Sequence, residues 1–138
     1  SGEATSWLHA VNVAEARELV GFPVETAADY WRAVDWFHGR GVGVVVLSLG
    51  KDGALVSDGQ TRLQVVPPQI HEVNPVGSGD ALVAGFAIGL LEGMALEDMA
   101  RLGVAAGTAN AMSWDIGHFT REEVDTVREQ VRVTPVAV

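Results

Sequence analysis

The 138 residues suffice for one domain with a core, and 48% apolar with 20% charged residues is the make-up of a globular chain. Eighteen acidic residues against nine basic ones, a net charge of −9, argue against nucleic acid or an anionic membrane as partner. Without cysteine there is neither a disulfide framework nor thiolate chemistry. The longest apolar run, residues 81–91, is too short to span a membrane. No signal peptide is recognised, so the expected compartment is the cytoplasm.

Residues 7–11 read as a short strand. Asn12 then opens a helix to about Val20, with Glu15 at the capping-box position and Gly21 and Pro23 ending it. Thr26 caps a second helix with Asp29 in its first turn and an apolar stripe of Tyr30, Val34 and Phe37. Residues 42–49 are rich in branched side chains, the composition of a strand buried on both faces in a parallel sheet. Two strand-like runs, 54–57 and 61–66, flank Asp58-Gly59, a hairpin signal. A helix is expected from Asp80 to about Glu92, a second from Leu96 to Ser113 and a third from Thr120 to about Gln130, with Glu123 completing a capping box. Gly85, Gly89 and Gly93 recur every fourth residue, the mark of a helix packed close against a neighbour. Residues 131–133 read as a last strand. This alternation predicts one α/β domain over residues 1–138 with a mainly parallel sheet and a β-hairpin. So few strands leave unpaired edges, which suggests a piece of a larger layer or a chain that needs a partner.

The stretch with the most chemistry is Asn74-Pro75-Val76-Gly77-Ser78-Gly79-Asp80. Glycines 77 and 79 can take positive φ and bring consecutive amides close to a ligand. The first amides of the following helix lack intrahelical partners and sit at its positive pole, so the loop is a candidate anion site. It is neither a dinucleotide fingerprint, since position 82 is leucine, nor a P-loop, since no Gly-Lys-Ser/Thr follows. Asp80 would repel a phosphate unless it accepts the proton of an attacking hydroxyl; ordinary helix capping by Asp80 is the other account. Three further features accompany the loop. Asn12 and Glu15 place an amide and a carboxylate one turn apart, a pattern equally explained by capping. Ser48-Leu49-Gly50-Lys51-Asp52-Gly53 is a glycine turn at a strand's carboxyl end, where open α/β sheets bind ligands. Residues 103–111 are small enough to wall a purine, and close helix packing explains them as well.

In this order the segments resemble the carboxyl-terminal half of the PfkB carbohydrate kinases, a ribokinase-like family with a three-layer α/β/α fold. Gly77-Ser78-Gly79-Asp80-Ala81 followed by Val83-Ala84-Gly85-Phe86 is similar to the family's second signature. The wording from Asn74 is nearest to the branch acting on phosphorylated hexoses, the 1-phosphofructokinases and tagatose-6-phosphate kinases. The resemblance implies transfer of the ATP γ-phosphoryl to a sugar or sugar-phosphate hydroxyl. Asp80 would be the base, and the amides of Gly77, Ser78 and Gly79 the anion hole. Glu15, with Asn12, would place Mg²⁺ and the ATP phosphates through water. Ser48 and Gly50 would meet the nucleotide, Gly53 would support the turn, and Ala106 and Asn110 would lie along the adenine pocket. Asn74-Pro75 stands where the family often has Asp-Thr, which bears on a monovalent-cation site. The family's chains are about twice as long, and most sugar contacts belong to their amino-terminal half. The expected partners are therefore the sugar substrate and either that missing half or a second copy, as a homodimer. The alternatives are a non-catalytic nucleotide-binding module or a truncated remnant that self-associates. The four histidines, 9, 38, 71 and 118, show no metal-ligand spacing.

Overall fold

A computed structural model describes residues 8–70, 77–112 and 119–137. The chain divides into two compact units. One comprises residues 1–50, 54–64 and 135–138, the other 51–53 and 65–134. Among the described residues five strands form one sheet in the order β1-β2-β3-β4-β5, namely Leu8–Asn12, Val44–Ser48, Ala54–Ser57, Arg62–Val66 and Arg132–Val136. β1 pairs with β2 in parallel, from Leu8 opposite Val44 to Asn12 opposite Ser48. β2 pairs with β3 antiparallel, from Val45 opposite Ser57 to Ser48 opposite Ala54. The sheet is thus mixed. The parallel pairing expected from residues 42–49 holds on one side of β2, and the antiparallel step enters on the other.

In the first unit, α1 (Val13–Val20) and α2 (Ala27–Gly39) begin where their caps place them. The Asn12 side chain accepts from the Glu15 amide at 2.8 Å, and the Glu15 carboxylate accepts from the Asn12 amide at 3.0 Å. Thr26 and Asp29 repeat the box on α2. Gly21, in the left-handed region, ends α1. Both helices and strands β1 to β3 contribute to one core of Val11, Ala16, Val20, Val24, Ala33, Val34, Phe37, Val45, Leu47 and Leu55. Every residue from Val44 to Leu47 is buried, as a strand covered on both faces requires. Past α2, His38 is tied down at both ring nitrogens, to the Val42 carbonyl at 2.8 Å and to the Ser57 hydroxyl at 2.9 Å. The turn after β3 is closed by the Asp58 carboxylate, which accepts from the amides of Gln60 and Thr61.

The second unit holds α3 (Ser78–Leu91), α4 (Leu96–Ala111) and α5 (Arg121–Gln130). α3 and α4 approach at glycines. A Cβ on Gly85 would come within 2.8 Å of the Gly103 Cα, and one on Gly89 within 2.7 Å of Met99. A Cβ on Gly103 would strike the Phe86 ring at 2.1 Å, and Phe86 is fully buried. Gly93 departs from this pattern. It has φ +69 and open space around its Cβ position, so it terminates α3 and leaves the packing stripe to Gly85 and Gly89. Thr120 caps α5 with Glu123 as its box partner. β5 runs beyond the expected 131–133 and takes in Pro135, a residue tolerated in an edge strand.

Candidate functional site

The site residues of the first unit gather at the carboxyl ends of its two parallel strands. Asn12 and Ser48 are the last register pair of β1 and β2, and the Ser48 hydroxyl donates to the Val11 carbonyl at 3.4 Å. Glu15 joins them through its box with Asn12. Capping and ligand binding are compatible here. The box uses one carboxylate oxygen of an exposed Glu15, holds the group in one orientation, and leaves the other oxygen to solvent. Just past β2, Gly50 opens a 3-10 turn, Gly50–Asp52, with φ +63 and open space beside it.

The second unit carries the other set. Gly53 has φ +98, and a Cβ there would lie 1.9 Å from the Val65 carbonyl oxygen, so the turn admits glycine alone. α3 begins earlier than the sequence suggests. Gly77 is its N-cap at φ 82, and Ser78, Gly79 and Asp80 form its first turn. The left-handed residue is therefore Gly77, whereas Gly79 is helical with nothing within 4 Å of its Cβ position. Gly77 brings no capping side chain, so among the described residues the first amides of α3 have no side-chain cap. Asp80 is the third helical residue and not the N-cap, which removes the simplest capping account of it. Its carboxylate is exposed and makes no hydrogen bond or ion pair among the described residues.

α4 lies against this turn. The Gly107 Cβ position is 3.1 Å from the Ser78 carbonyl oxygen, and Asn110 donates from Nδ2 to the Ser78 hydroxyl at 3.1 Å. Ala106 is 8% and Asn110 1% exposed, so the small residues of α4 serve packing against α3 before any ligand. Gly107 thus serves the close packing that residues 103–111 suggest, whereas the Asn110–Ser78 bond was missed. The only available signal was the i, i+4, i+7 spacing of Gly103, Gly107 and Asn110. Asn74 and Pro75, and with them the cation-site question, lie outside the described residues, as do His71 and His118. Among the described residues no group of three acidic or histidine side chains could hold a metal by itself. No helix of the described residues is long and apolar enough to cross a membrane.

This geometry has close relatives. The chain is 38% identical over 92 residues to the tagatose-6-phosphate kinase of Staphylococcus epidermidis, covering 67% of this chain and 30% of that one. Phosphofructokinase-2 of Escherichia coli, solved with potassium, superposes with a TM-score of 0.84 at 31% identity over 89% of this chain and 40% of its own. The ribokinase of Arabidopsis thaliana, solved with ribose and ATP, gives a TM-score of 0.80 at 27% identity over 89% of this chain and 41% of its own. The α/β fold is accordingly ribokinase-like, and the chain spans less than half the length of each of these proteins. The model of the pfkB family carbohydrate kinases matches residues 3–113, from β1 through the Gly77–Asp80 turn to the end of α4, and the chain belongs to that family.

Proposed function

We propose that this chain is the ATP-binding and catalytic part of a cytoplasmic kinase that transfers the ATP γ-phosphoryl to a hydroxyl of a sugar or sugar phosphate, with a hexose phosphate favoured. The observation that carries the reading is the start of α3. A left-handed glycine opens an uncapped helix whose first turn holds a carboxylate with no partner among the described residues. In a pfkB chain that combination suits an anion held by amides beside a base. The sugar-phosphate preference is supported by the similarity to the tagatose-6-phosphate kinase.

The residues then divide the work of the step. The amides of Gly77, Ser78 and Gly79 hold the oxygens of the transferred group and neutralise its charge. Asp80 accepts the proton of the substrate hydroxyl as that oxygen bonds to the γ-phosphorus and the bond from γ-phosphorus to the bridging oxygen breaks, leaving ADP. Ser48 and Gly50 meet the nucleotide, Gly53 supports the turn, and Ala106 and Asn110 lie along the adenine pocket. Glu15, oriented by Asn12, fits Mg²⁺. One carboxylate with a free oxygen is the usual protein share of a site whose remaining ligands are water and phosphate. When bound, Mg²⁺ would offset phosphate charge.

Asp80→Asn tests the base. In the complete protein that carries this chain, turnover should fall about 10²–10⁴-fold with ATP affinity nearly unchanged. Steady-state ADP release against ATP concentration reads both quantities. Near-normal turnover would remove Asp80 from the chemistry.

A further inference from the structure

Asn110 is an anomaly on α4. Its neighbours Ala105, Ala106, Ala109 and Ala111 are small, apolar and strong helix formers, and at 1% exposure the position is as dry as theirs. A carboxamide there costs stability unless its polar atoms find partners. One of its two Nδ2 protons goes to the Ser78 hydroxyl, 3.1 Å away and 32 residues earlier in the chain. Gly107, one turn before it, lets α4 come within contact of the Ser78 carbonyl. α4 thus touches the first residue of α3 at two points, once by shape and once by a directed hydrogen bond.

The direction of that bond matters. A serine hydroxyl has one proton and two lone pairs. With one lone pair taken by the Asn110 amide, the proton turns away from α4, and no acceptor among the described residues takes it. Ser78 is half-buried and is the first residue of that turn, so a donor hydroxyl there would add to the backbone amides of the proposed anion site. We propose that Asn110 is a positioning residue of the Gly77–Asp80 turn, holding the Ser78 hydroxyl so that its proton is presented to the bound phosphoryl group. This rests on the reading of that turn as the phosphoryl site. It moves the weight of Asn110 from the nucleotide base to the other end of the ligand.

The test is a phosphate titration of the ¹⁵N-labelled 138-residue chain, following the backbone amides of Ser78, Gly79 and Asp80. Ser78→Ala and Asn110→Ala should each weaken inorganic phosphate by about threefold to tenfold, the range for one hydrogen bond. The double variant should be no weaker than Ser78→Ala alone, because both remove the same donor. Asn110→Asp should weaken binding further than Asn110→Ala, since a carboxylate accepts the hydroxyl proton and adds like charge. Ala is a strong helix former at position 110, and Ser78→Ala at a half-buried site keeps the test open should Asn110→Ala fail to fold.

Four results would overturn the proposal. The wild-type amides do not respond to phosphate, Asn110→Ala binds phosphate as the wild type does, the double variant falls by the product of the two singles, or Asn110→Ala weakens ATP while leaving phosphate untouched. The last would return Asn110 to the base pocket. The kinase reading is judged separately, by turnover. Coupled phosphate binding in a protein that never turns over leaves this inference standing, and turnover with uncoupled binding removes it alone.

Discussion

Gly79 lies in the first turn of α3 with nothing within 4 Å of its Cβ position, so a side chain placed there would stand beside the first amides of the helix. Two glycines around a serine invite positive φ at both, but only Gly77 has it, at 82°, and Gly79 is an ordinary helical residue with space where its side chain would be. Gly79→Val therefore probes the ligand more than the fold. Replacing helical glycine by valine should leave stability unchanged or raise it by about 0.4 kcal/mol. The branched side chain should fill the space beside the first amides and abolish binding of phosphate or nucleotide there. Thermal melting followed by circular dichroism, with calorimetric titration, checks both halves. Undiminished binding by a folded variant would place the anion elsewhere. Glu15 teaches a related lesson. Capping and ligand placement looked like rivals in the sequence, yet the box leaves one carboxylate oxygen free and fixed in place.

Helix beginnings were the most legible elements, because an N-cap is decided by three or four adjacent residues. Asn12, Thr26 and Thr120 all cap where expected, Asn12 and Thr120 with the expected boxes and Thr26 with a box to Asp29 besides. What depends on distant partners was not legible. The Asn110–Ser78 bond spans two helices, Gly93 imitates a packing stripe it does not join, and the antiparallel neighbour of β2 leaves no trace in an all-buried strand. The box on α2 also makes a pH prediction. Hydrogen bonds from the backbone amides of Glu25 and Thr26 hold the Asp29 carboxyl below its ordinary 3.8. A carboxyl lowered by folding stabilises the folded state fully above that ordinary value, and the contribution is lost as pH falls through the folded one. Urea midpoints of wild type should thus drop faster than those of Asp29→Ala as pH is lowered from about 5 towards 2. Parallel acid limbs would show that the box does not discriminate between the two protonation states.

On the scale of the whole molecule, the question is what this chain does unaided. Among the described strands β1 is an edge, and β2, the strand buried on both faces, stands next to it. The outer backbone groups of β1 have no strand to pair with in that order, and such an edge recruits another chain. Two copies related by a two-fold axis would satisfy it most simply. A net charge of −9 opposes the encounter, so association should strengthen as salt screens the repulsion, for instance between about 10 mM and 150 mM. Catalysis makes a separate demand. On the proposed reading Asp80 is the base, and a base takes a proton only from a hydroxyl held within hydrogen-bond reach. The chain spans only 30% of the tagatose-6-phosphate kinase it resembles and 40% of phosphofructokinase-2, and the proposed reading puts the sugar's contacts outside it. The pure 138-residue protein should accordingly self-associate at micromolar concentration and release no sugar-dependent ADP, even if it binds Mg-ATP. Sedimentation velocity at two salt concentrations, beside a coupled ADP assay over several hexoses and hexose phosphates, measures both. A monomer at high salt would defeat the edge argument. Sugar-dependent turnover would mean that this chain holds a sugar site of its own, and an absence of Mg-ATP binding would favour a self-associating remnant over a nucleotide-binding part.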